Sequence, residues 1–156
     1  MTAPGSTADG VSQDGELASL SRKHLRVGWT ALLVFATLGL TLEALHAFKS
    51  TAYLGVGNET RRLMWTLAHA HGVGLSLLQL AFAGTLRALP DARAERMHRA
   101  SSLLDAATWL LPLGFFLGGV LTYDGDPGIG VLLAPIGGAL LWAALLLVAL
   151  EASHKS

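Results

Sequence analysis

Apolar residues in this chain gather into four long stretches separated by short polar ones. They run over residues 25–48, 63–86, 102–122 and 129–150. Each reaches or exceeds the ~20 residues that a helix needs to cross a bilayer. The last is the most uniform, and its LLWAALLLVAL run offers no polar stripe for a water-facing side. The pattern predicts an all-α integral membrane protein, a four-helix bundle of four spans, rather than a soluble bundle. Residues 1–21 are small and polar with no apolar run. They read as a disordered tail with a short amphipathic start near residues 17–20. Lacking the apolar core of a signal peptide, that tail predicts a first span retained as an uncleaved anchor. Residues 22–156 then form the membrane domain.

Charge sets the orientation. Eight Lys and Arg (22, 23, 26, 87, 93, 96, 99, 155) fall on the side that holds both termini, and three (49, 61, 62) on the other. The positive-inside rule predicts cytoplasmic termini, with the 49–62 and 123–128 loops outside. The expected location is a bacterial inner membrane, crossed several times. Only 14% of residues are charged and the formal net charge is zero, which argues against a nucleic-acid partner. The absence of cysteine rules out disulfides, thiolate metal sites and iron–sulfur clusters.

Small residues predict how the spans pack. Gly114 and Gly118 make a GxxxG, and Gly130, Ala134 and Gly138 recur every fourth position. Such faces let helix backbones approach closely, within one bundle or across a homo-oligomer seam. Pro112 and Pro135 predict kinks in the third and fourth spans.

Against this apolar background the ionisable residues stand out, because charge at membrane depth is costly and marks functional groups. Glu43 and His46 are three apart near the outer end of span one, so they project from one helix face. His69 and His71 lie in the first third of span two. With span one running outward and span two inward, Glu43 and His46 fall about 8 and 3 Å inside the outer boundary. By the same rise His69 and His71 fall about 9 and 12 Å inside, so four ionisable groups share one layer. Two residues apart on a helix is about 200°, so the two histidines face opposite sides. Either two sites flank span two, or one histidine is a ligand and the other structural.

Neutral imidazole binds copper, iron and zinc, and haem iron takes axial histidine. The layer therefore predicts haem b or a transition metal, with Glu43, His46, His69 and His71 as candidate metal ligands. Glu43 would be a ligand or would orient a ligand histidine. Arg61 and Arg62, two turns above His69, would pair with haem propionates, or with lipid phosphate. At the inner end Asp105 and His98 share a helix face. With Ser101, Ser102 and Gln79 they suggest a proton entry path, or a carboxylate paired with a nearby arginine. The YDGDPG loop reads as a tight turn, or as a lid over the histidine layer.

At WTLAHAHGVG the chain resembles small bacterial membrane proteins with a His-x-His near the start of a span, and more distantly the catalytic subunit of the haem–copper oxidases. In that family one helix carries a His-x-His whose histidines serve two haems on opposite sides. The family's twelve spans form a pseudo-threefold arrangement of four-helix units, so the resemblance implies a homotrimer of this four-span chain. It implies haem or metal ligation by His69 and His71. The family's adjacent His–His pair and its His-Pro-Glu copper segment are missing here, so neither a copper centre nor oxygen reduction is carried over.

The sequence thus predicts a membrane oxidoreductase or electron-transfer protein acting with a quinone or small redox partner. The alternative is a non-enzymatic membrane subunit or small transporter whose His/Glu layer is structural or a proton path. A metal-dependent hydrolase with Glu43 as base is a third reading.

Overall fold

A computed structural model describes residues 6–153, with side chains from residue 15. Lys155 and residues 1–5 lie outside the described residues. The fold is helical, and no strand forms among the described residues beyond a single bridge between Tyr123 and Asp126. Its elements are α1 (Ser6–Ala47), the one-turn α2 (Thr51–Leu54), α3 (Glu59–Ala88), α4 (Ala94–Val120) and α5 (Leu133–Ser153). A 3-10 turn at Ile129–Leu132 leads into α5. Three segments are long and apolar enough to cross a membrane: Gly15–Ala47, Ala94–Val120 and Ile129–Ser153. These are the features of an integral membrane protein. α3 is as long as they are, with 30 residues. His69, His71, Ser76 and Gln79 dilute its apolar character.

α1 takes in residues 6–21, where the chain reads as a disordered tail. The reason lies in spacing: Leu17, Leu20 and His24 recur on one helix face, and all three are buried. Leu17 and Leu20 join a core with Leu86, Ala92 and Met97, which ties the start of α1 to the α3–α4 connection.

The helices form an open array rather than a closed bundle. α1 packs on α3, α3 on α4, and α4 on α5, while α5 meets neither α1 nor α3 at backbone level. The GxxxG of α4 is consumed in this packing: a Cβ on Gly114 would sit 2.4 Å from the Ala134 nitrogen. On the facing side it is Gly137, not Gly138, that takes part, pressing on Leu111, whereas Gly138 faces open space. Pro112 lies inside α4, where it cannot donate a hydrogen bond to Thr108 O. Pro135 is the third residue of α5, in the first turn, where no helical hydrogen bond is lost. It starts the helix rather than kinking it.

The helix ends beside the 49–58 and 121–128 connections are laced together. Arg61 Nε donates to Gly119 O (3.0 Å), one of the carbonyls left free at the end of α4, and its Nη1 donates to Ala52 O (3.0 Å). Trp65 Nε1 donates to Phe116 O (3.2 Å). At the opposite end of the array the buried carboxylate of Glu151 accepts from Arg96 Nη1 (2.8 Å) and from the Arg93 backbone N–H (2.9 Å). That clasp closes the α4–α5 hairpin.

Candidate functional site

Glu43, His46 and His69 line one cavity of about 460 Å³ between α1 and α3, together with Gly39, Leu42 and Tyr53. His69 is the best-positioned of the three. Its Nδ1 bonds Phe35 O across to α1 at 2.8 Å. A carbonyl can only accept, so Nδ1 carries the proton and Nε2 keeps its lone pair. Space for the ring comes from Gly39, where a Cβ would lie 2.3 Å from His69 Cε1. The role of Gly39 is to seat an imidazole.

His46, in the last turn of α1, stands edge-on to Tyr53 with centroids 6.5 Å apart. Tyr53 then stacks on Trp65 (6.2 Å, 10°) and Trp65 on Phe116 (5.8 Å, 16°). The short α2 thus inserts a buried tyrosine between the histidine and an aromatic column. Glu43 is exposed along the same wall and forms no ion pair among the described residues.

His71 points elsewhere, as the helical geometry requires. Its Nδ1 donates to Leu67 O of its own helix (2.9 Å), and its ring lies on Phe115 (4.9 Å, 32°). It lines a different cavity, with Gly74 and Leu141. Among the described residues no three His, Asp or Glu side chains converge so as to hold a metal ion. The set Glu43, His46, His69 and His71 is therefore not one metal site. The two arginines have protein partners of their own. Arg61 spends two of its N–H groups on carbonyls and lies over Trp65 (5.8 Å). Arg62 approaches Glu59 at 4.0 Å. The cation beside His46 is instead Lys49, which lines an adjoining cavity of about 370 Å³.

A second polar constellation sits toward the other end of the array, centred on His24, which is 0% exposed. Gln79 Nε2 donates to Asp105 Oδ1 (3.1 Å) and Thr108 Oγ1 (2.9 Å). Those bonds turn the Gln79 carbonyl toward His24, whose Nδ1–H donates to it. Ser101 Oγ, which accepts from Lys23 Nζ (3.2 Å), donates in turn to His24 Nε2 (2.8 Å). Lys23 also pairs with Asp105 Oδ2. Three helices are locked by one neutral histidine and one ion pair. Of the expected proton-path residues, Asp105, Ser101 and Gln79 belong here. His98 does not: it is exposed, 3.9 Å from Glu16. Ser102 is exposed and bonds His98 O of its own helix.

No family model, curated protein or solved structure matches the chain. Its function is therefore argued from this geometry.

Proposed function

We propose that the chain is a four-span membrane protein that ligates haem b, or another metal complex, through His69, and that it serves electron transfer or redox chemistry. One observation carries this reading: an imidazole fixed by Phe35 O, with its free Nε2 on a cavity shared with His46 and Glu43. A second nitrogen hydrogen-bonded to a carbonyl is the usual support of a ligating histidine, because it fixes the ring and raises its basicity. The donor set suits a ligand that brings most of its own coordination, as a porphyrin does, and fits a bare ion poorly, since among the described residues no three donors converge. His69 would hold the group, with His46 as the further imidazole on the same cavity. Lys49 would face the acidic groups at the mouth, and Glu43 would tune the field at the ligand. Bound haem would supply one-electron chemistry. The chain's part is to orient His69, to seat the ring against the Gly39 backbone, and to keep one wall apolar through Leu40 and Leu42.

The same reading takes α3 as the fourth span. It lies between α1 and α4, two helices fit to cross, and it turns Ser76 and Gln79 fully inward at 0% exposure. With the basic residues clustered at the other end, both termini would be cytoplasmic, in a bacterial inner membrane. A trimer follows from the resemblance alone.

The test is an absorption spectrum of the purified protein with metal analysis on the same sample. A Soret band or stoichiometric metal, lost in His69→Ala with the fold intact, supports the reading; a colourless, metal-free protein sinks it. The rival is a non-enzymatic subunit with a structural polar layer. It is favoured by the His24 network, in which every buried polar atom is partnered. It predicts that His24→Ala unfolds the protein while His69→Ala changes little.

A further inference from the structure

The face of α3 opposite His69 carries an arrangement that the proposed function leaves unused. Because His71 donates Nδ1–H to Leu67 O, its Nε2 is an acceptor. That nitrogen makes no hydrogen bond among the described residues. Since no buried side-chain polar atom among the described residues lacks a partner, Nε2 is not sealed off, and its ring lines a cavity of about 320 Å³. The cavity exists because α5 packs on α4 and not on α3. Leu78 is shared with a second cavity of about 110 Å³, which continues inward between Phe82 and Thr85 of α3 and Ala144 and Val148 of α5. From His71 to Thr85 the seam runs roughly 21 Å at the helical rise.

Three properties define what such a seam accepts. Its one polar atom at the outer end is an acceptor, so the ligand's head must donate. No charged residue lines either cavity. A carboxylate or phosphate head would be desolvated there without compensation, which favours a neutral donor such as a hydroxyl. The wall beside His71 is flat: its ring is backed by Phe115, and Gly74 leaves open space where a side chain would stand. A planar head fits against that wall. We infer that the α3–α5 seam binds a lipid-soluble phenol or hydroquinone, its hydroxyl donating to His71 Nε2 and its apolar tail lying past Leu78 toward the inner end. This site stands apart from the His69 cavity and does not depend on what that cavity holds.

The experiment uses the full chain in detergent and a decyl-substituted benzohydroquinone, kept reduced under nitrogen, beside its dimethyl ether, which has the same ring and tail but no donor. Equilibrium dialysis should show the hydroquinone binding about tenfold more tightly than the ether, the effect of one neutral hydrogen bond. His71→Leu should erase that preference and His69→Leu should keep it. Gly74→Leu, whose side chain has open space to enter, should block both probes. Equal affinity of the parent for the two probes means that the seam holds only an apolar tail, and overturns the inference. So does a preference that survives in His71→Leu. If His71→Leu does not fold, undiminished binding to Gly74→Leu overturns it equally. A colourless, metal-free protein would defeat the His69 reading and leave these outcomes unchanged.

Discussion

The imidazole of His69 occupies the volume that a side chain on Gly39 would fill, with Cε1 2.3 Å from that Cβ position. The two residues belong to different helices, so the seat exists only when α1 and α3 are in register. Gly39→Ala should push the ring off α1 and lengthen its bond to Phe35 O. Overpacking of this kind costs about 1–3 kcal/mol. Any ligand held by His69 should be lost to a greater extent than stability. Thermal unfolding and the absorption spectrum of one preparation check both; an unchanged spectrum would mean that the seat is not part of the site.

His24 should be the most sensitive position of the polar constellation that joins α1, α3 and α4. Replacing it by alanine leaves the Gln79 carbonyl without its partner and the Ser101 O–H without its acceptor, although Ser101 Oγ still accepts from Lys23. Hydrogen bonds between membrane helices average about 0.6 kcal/mol, but an orphaned buried group costs about 1–3 kcal/mol. For two such groups the expected loss is about 2–4 kcal/mol. Because Gln79 serves both His24 and Asp105, a double-mutant cycle of His24→Ala with Gln79→Leu should be strongly non-additive. Additive losses would show that the network is three separate contacts.

What could be read from the chain follows from what each feature depends on. The opposed directions of His69 and His71 depend only on helical pitch, and the residues bear them out: one bonds Phe35 O, the other its own helix and Phe115. Gln79 and Asp105 were visible as polar groups in apolar stretches. His24 was not, because within RKHLR it looks like one more residue of a basic flank. Only its spacing from Leu17 and Leu20 marks it as inward-facing. Arg61 and Glu151 were beyond reach for another reason. Each has a backbone partner, Gly119 O for Arg61 and the Arg93 N–H for Glu151, and which backbone groups lie near is fixed by how α3, α4 and α5 dock.

The crossing of α3 can be tested directly because the chain has no cysteine. Val56, fully exposed before α3, and Asp124, in the turn after α4, belong to the same end of the array, since Thr60 Oγ1 bonds Gly125 O. Pro90 follows α3 at the other end. Single cysteines at Val56 and Asp124 should react with an impermeant maleimide added outside intact cells, and one at Pro90 only after lysis. Reaction of Pro90→Cys in intact cells, together with Val56→Cys, would remove α3 from the list of spans.

Glu151 makes the last and largest claim on stability. Its carboxylate is 3% exposed and accepts from Arg96 Nη1 and the Arg93 N–H, so the end of α5 is pinned to the start of α4. α5 has no other helix to lean on at backbone level besides α4. Removing one partner of a buried ion pair costs about 3–5 kcal/mol, because the other charge stays behind in a poor solvent. Arg96→Met should therefore destabilise the α4–α5 hairpin more than Glu151→Gln, which keeps an acceptor for the Arg93 N–H and leaves the more exposed arginines to face water. The readout is local: hydrogen exchange over residues 140–153 should accelerate while residues 63–86 keep their protection. Uniform acceleration across both regions would show that the clasp holds the whole array together and not the hairpin alone.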